Sequence, residues 1–139
     1  MAKRILVPID GSNLVERTIT YACEVAKNTG SKVTLIHVVT FPHKVEPWVP
    51  TDPRPFEEAG LKIIERAEQI AKNLGVDWQT RLERTFGNAA QVILRAAEEG
   101  KFDLIVIGAK GHNLLANLMV GSICDTVVHN APCPVLVVR

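Results

Sequence analysis

The amino-acid sequence predicts an open α/β fold: five parallel strands in the order 3-2-1-4-5, with helices on both faces of the sheet. Three observations carry this reading. Strand-type and helix-type patterns alternate along the 139 residues, which implies right-handed crossovers and a mostly parallel sheet. The runs Ile5–Ile9 and Leu104–Ile107 are apolar throughout, as strands buried on both faces are, and so belong at the centre. Residues 76–84 instead alternate, with Val76, Trp78, Thr80 and Leu82 on one side and Asp77, Gln79, Arg81 and Glu83 on the other, the pattern of a half-exposed edge strand.

The elements follow in order. After the first strand, Asn13 with Glu16 three positions later reads as a helix cap pair, and Val15, Ile19, Ala22, Cys23 and Ala26 recur at helical spacing up to a stop at Gly30. Val33–Val39 is the second strand. Residues 40–55 hold five of the eight prolines, which forbids a helix interior or a central strand and predicts one long loop. A second helix spans residues 56–74, with Phe56, Gly60, Ile63, Ala67, Ile70 and Leu74 on its inner face and Gly75 as its stop. The third strand occupies residues 76–84. Asn88 and Gln91 cap a third helix whose apolar positions include Val92, Ile93, Ala96 and Ala97, closed by Gly100. The fourth strand leads into a glycine-bearing loop from Gly108 to Gly121. A fourth helix then runs from about Ser122 to Asn130, stopping before Pro132, and Pro134–Val138 is the last strand. The whole chain, residues 1–139, reads as one domain.

Composition narrows the function. With 47% hydrophobic and 22% charged residues the chain is globular in character. A net charge of +1 offers no broad electrostatic attraction to nucleic acid or an anionic membrane, so an anion site has to be local. No stretch reaches the roughly 20 apolar residues of a membrane helix, and no signal-peptide pattern follows Met1, which predicts a cytoplasmic address. Cys23, Cys124 and Cys133 lack metal-ligand spacing and read as reduced, mostly buried thiols. His37, inside a strand, reads as a packed histidine; His43 and His129 read as surface residues. No metal-ligating set and no catalytic residue is assigned.

In the 3-2-1-4-5 order the chain reverses direction between strands 1 and 4, and open α/β sheets bind ligands in the crevice at such a reversal. Asp10 follows strand 1 and Gly108 follows strand 4, so both face that crevice. Glycines at 108, 111 and 121 allow a backbone to approach phosphate oxygens closely. Gly121-Ser122 stands at a helix start, where unpaired N–H groups and the dipole attract anions. His112 lies in this loop, placed for phosphate or for solvent. On physics alone, a phosphate cradle and simple turn geometry explain the glycines equally well. The P-loop pattern and the G-x-G-x-x-G fingerprint are both missing.

The spacing G-x2-G-x9-G-[ST] at Gly108, Gly111, Gly121 and Ser122 resembles the ATP-binding pattern of the universal stress protein (UspA) family. The stretches Ile5–Ser12, Leu35–Val38, Asp103–Gly108 and Pro132–Val138 resemble its strands, so the likeness covers essentially the whole chain, least well over residues 40–55. The resemblance implies a Rossmann-like fold of the adenine nucleotide alpha hydrolase-like kind and a site for ATP. In that site Asp10 contacts the ribose or phosphates, the Val38 backbone reads adenine, and Gly108, Gly111, Gly121 and Ser122 hold phosphates. Pro8, Ser12, Lys110 and Ile123 complete the candidate set, Lys110 standing where relatives often carry Arg or His. Cys124 replaces a hydroxyl that relatives often have. Mg2+ or Mn2+ is expected to arrive with the nucleotide, bridged by phosphates. The resemblance also implies a homodimer joined through residues 134–138, an apolar run at a predicted edge. The function so implied is a nucleotide-dependent stress-response or signalling protein. The alternatives are a slow ATPase or autophosphorylating enzyme, and a dimeric adaptor that needs no nucleotide.

Overall fold

The computed structural model describes residues 3–42, 52–109 and 121–139. Within them strands and helices alternate as β1 (Arg4–Pro8), α1 (Val15–Thr29), β2 (Lys32–Thr40), α2 (Arg54–Lys72), β3 (Trp78–Thr85), α3 (Ala89–Glu99), β4 (Leu104–Gly108), α4 (Ser122–Asn130) and β5 (Val135–Val138). The sheet order is β3-β2-β1-β4-β5 with every pairing parallel, as expected.

Each face of the sheet has its own core. On one, Ile5, Val7, Val33 and Leu35 meet Ile19, Ala22, Cys23 and Ala26 of α1 and Ile64, Ala67 and Ala71 of α2. On the other, Leu6, Ile36, Ile105 and Ile107 meet Ile93, Ala96 and Ala97 of α3 and Cys124 and Val127 of α4. The small residues on the helices let them lie close to the sheet, while the strands supply the branched bulk. Each fully buried Ile or Leu is worth about 1.5–3 kcal/mol.

Several local expectations are corrected. α1 begins at Val15 after Leu14, with no side-chain cap, so the Asn13–Glu16 pair does not cap it. A turn ending in the Ser12 hydroxyl precedes the helix instead, accepting the Leu14 amide at 3.3 Å. α1 does end at Gly30, whose left-handed φ of 65° accommodates the reversal without a Cβ penalty. α2 starts at Arg54 rather than residue 56, because Pro55 fits the first turn, where its missing N–H costs nothing. Its inner stripe is rotated from that expected: Gly60, Ile64, Ala67 and Ala71 are buried, Ile63, Ile70 and Leu74 are partly so, and Phe56 is exposed. Gly60 explains the rotation. A Cβ there would stand 2.6 Å from Val39 Cγ2, so the glycine lets α2 approach β2 closely at this turn.

β3 is an edge strand with the expected alternation. Asn88 caps α3, its Oδ1 accepting the Ala90 amide at 2.8 Å.

Candidate functional site

The site is built by the way strands end. Successive residues of a strand turn their main-chain groups to opposite neighbours. In β1 the odd positions face β2, since Lys3 O accepts from Lys32 N and Ile9 N donates to Ile36 O. The even positions face β4, since Arg4 O accepts from Asp103 N. Pro8 is therefore oriented toward β4, where its missing N–H removes the next rung, which Val106 O would otherwise accept. The β1–β4 register consists of Ile5↔Leu104 and Leu6↔Ile105, while on the other side Pro8 still pairs with Ile36. A single proline thus opens the central crevice at the carboxyl ends of β1 and β4.

Asp10 lies just past that opening. Its Oδ1 accepts the Ser12 amide at 2.8 Å, and the buried Ser12 passes the chain on to Leu14 through its hydroxyl. Asp10 therefore does structural work at the turn while remaining partly exposed at the crevice.

β2 runs on past β1. Its odd residues bond β3, as the bonds from Val33 N to Asp77 O and from Phe41 N to Thr85 O show, and its even residues face β1. Val38 is therefore turned toward the β1 side, just past the last β1–β2 pair, Pro8↔Ile36. The rung expected next, Val38 N to Ile9 O, is not made. Ile9 O takes His37 Nδ1 instead, at 2.8 Å. A carbonyl only accepts, so Nδ1 carries the proton.

Gly108 ends β4 against the start of α1. A Cβ there would sit 3.3 Å from Thr18 Oγ1 and 3.5 Å from Leu14 Cβ, so the glycine permits this contact. Thr18 is buried, and its hydroxyl has no hydrogen-bond partner among the described residues. Thr20, Thr29 and Thr126 instead return their hydroxyls to the carbonyl four residues back.

Gly121 is the N-cap of α4, directly preceding Ser122 and Ile123. Its amide does not point at open space: it donates to Ala109 O at 2.6 Å, while Ala109 N donates to Val138 O at 2.7 Å. The expected convergence of glycine amides is narrowed accordingly. Helix geometry leaves the amides of Ser122, Ile123 and Cys124 without an intrahelical acceptor, and the N-cap residue Gly121 offers no side chain to cap them. Ser122 and Ile123 are exposed, whereas Cys124 is buried. Lys110, Gly111, His112 and His43 lie outside the described residues.

Among the described residues no three His, Cys, Asp or Glu side chains gather as a metal site would require. No described helix is long and apolar enough to cross a membrane. Burial pushes the thiols of Cys23, Cys124 and Cys133 above their ordinary range, against a smaller opposing effect of Lys27 at Cys23.

The universal stress protein family model matches residues 1–139. The chain belongs to the universal stress protein family. A universal stress protein of Methanocaldococcus jannaschii is 33% identical over 145 residues, covering 99% of this chain and 82% of the relative. The solved universal stress protein of Archaeoglobus fulgidus superposes with a TM-score of 0.81 at 21% identity, covering all of both chains. A structure of the A. fulgidus protein in complex with dAMP superposes at 0.77 and 21% identity, over 99% of this chain and 98% of that one. Universal stress proteins thus share this chain's five-stranded parallel architecture.

Two features of the site escaped the sequence reading. Pro8 was in the candidate set, but its effect on the ladder depends on which neighbour residue 8 faces. The His37–Ile9 bond has no sequence signal beyond a polar residue in an apolar strand.

Proposed function

We propose that this universal stress protein binds an adenine nucleotide, ATP among them, across the crevice between β1 and β4. The observation that carries the reading is the Val38 main chain, which faces the β1 side just past the last β1–β2 pair and whose amide does not bond Ile9 O. Its N–H and C=O offer a purine edge one donor and one acceptor, facing the same crevice as Asp10 and the start of α4. The dAMP complex of the A. fulgidus relative supports the choice of adenine. In this reading Pro8, Asp10 and Ser12 form the ribose side and Val38 holds the base. Gly108, Lys110, Gly111, Gly121, Ser122 and Ile123 form the phosphate side. The Ser122 and Ile123 amides are the main-chain donors, and Gly121 acts through shape. Mg2+ or Mn2+ rides on phosphate oxygens and water.

Nucleotide binding shifts the population between a filled and an empty conformation, and that shift is the signal a stress-response protein passes on. The chain acts in the cytoplasm as a single domain and as a homodimer. Support for the dimer comes from β5, where Ile105 N bonds Pro134 O and Ala109 N bonds Val138 O. Even positions therefore face β4, and the main-chain groups of Val135 and Val137 point out along the open edge, ready for a second copy.

Titration of ATP and AMP with the melting temperature as readout tests the nucleotide reading. Saturation at about 100 times Kd adds about 2.7 kcal/mol of stability. No shift at millimolar nucleotide rejects the proposal, and Gly121→Val is expected to abolish the shift. Val137→Pro, which removes an outward N–H without touching the β4 ladder, is expected to give a monomer in light scattering.

A further inference from the structure

The parallel ladder between β1 and β2 has one more rung available than it uses. Ile9 N donates to Ile36 O at 2.8 Å, which places Ile9 opposite residue 37 and brings Ile9 O to the position that would accept the Val38 amide. His37 takes that acceptor with Nδ1 at 2.8 Å. The ring lies on the α2 side of the sheet, with His37 Cδ2 3.6 Å from where a Cβ at Gly60 would stand. We propose that His37 is a positioning residue that occupies the Ile9 carbonyl and so keeps the Val38 N–H out of the ladder and free for a ligand acceptor. This rests on the nucleotide reading for its purpose, although the contact itself does not. The physical logic is competition for one oxygen. Without the imidazole the Ile9 carbonyl would be left unsatisfied, and the nearest donor is the Val38 amide, whose capture would extend the sheet over the rim of the crevice.

Two substitutions separate the donor from its shape. His37→Asn places an amide nitrogen where Nδ1 stands and keeps the bond; His37→Leu keeps comparable bulk without a donor. Hydrogen exchange of the Val38 amide, followed by NMR on the full chain without nucleotide, is expected to be fast in the parent and in His37→Asn. In His37→Leu it slows by at least about tenfold, because the amide enters the ladder. AMP affinity is expected to fall roughly two- to tenfold in His37→Leu, the worth of one hydrogen bond, and to be recovered in His37→Asn. Equal Val38 exchange in the parent and His37→Leu overturns the proposal, as does an Asn variant that behaves like Leu. Nitrogen NMR of the parent supplies a check that needs no variant: a proton on Nδ1 supports the assignment, and a neutral ring protonated only on Nε2 refutes it. Should the exchange contrast appear in a chain that takes up neither AMP nor ATP, the His37 assignment stands and the nucleotide reading fails.

Discussion

Gly60 offers a direct test of how α2 is seated. Substituting alanine adds a single methyl group, and in an exposed helix interior that change would stabilise by about 0.8–1 kcal/mol. Here the new Cβ would meet Val39 Cγ2 at 2.6 Å, with Leu82 Cδ1 at 3.5 Å and His37 Cδ2 at 3.6 Å. Carbon atoms pack at about 3.5–4.0 Å, so α2 and β2 have to separate by about 1 Å. The Val39 methyl is no flexible tip, and Val39 is itself buried. Overpacking of this kind costs about 1–3 kcal/mol, which outweighs the propensity gain and leaves a net loss of about 0–2 kcal/mol. Urea unfolding measures it, and each kcal/mol lowers the melting temperature by about 3–5 °C at this chain length. The decisive comparison is the cycle with Val39→Ala. Removing Cγ2 makes room for the new methyl, so the double variant is expected to be more stable than the sum of its parts by about 1–2 kcal/mol. If Gly60→Ala stabilises the chain by the full propensity difference, or shows no coupling to Val39→Ala, the close approach of α2 to β2 is refuted.

Three further outcomes follow from the same geometry. Pro8→Ala restores the donor facing β4; stability is expected to change by less than about 1 kcal/mol, as the new bond offsets the lost restriction of the unfolded chain. Nucleotide affinity falls as the crevice narrows, both read from one set of ATP melting curves. Asn88→Ala removes the Oδ1 that accepts the Ala90 amide and is expected to cost about 1 kcal/mol in urea unfolding, whereas Asn88→Asp keeps the cap. The carboxyl of Glu57 is held below its usual range chiefly by hydrogen bonds from Arg84, with burial opposing. A lowered folded value gives stability that is present above the unfolded value near pH 4.3 and is lost as pH falls through the folded value. The gap between the parent and Glu57→Gln is therefore expected to be small and steady near neutrality, to close below about pH 4, and to shrink in high salt, because the pair is exposed.

The opposite behaviour of Pro8 and His37 at the two sides of β1 clarifies how the crevice forms. Toward β4, a residue without a donor leaves a rung unmade; toward β2, a side-chain donor takes the place of a main-chain one. Each leaves a main-chain rung unmade near the carboxyl end of β1.

What the sequence determined alone is the order of events along the chain. Periodicity and apolar runs placed the strands, glycine and asparagine marked the helix ends at Gly30 and Asn88, and two central strands with one alternating edge strand implied the sheet order later found. These signals are local, set by which backbone and side-chain groups a few neighbouring residues can satisfy. Tertiary structure decided the rest: that α2 seats Gly60 close to Val39, that Gly121 gives its amide to Ala109, and that His37 Nδ1 bonds the Ile9 carbonyl. Each of these is a competition among groups distant in sequence for one volume or one acceptor. Such a contest has no winner until the sheet brings the competitors together.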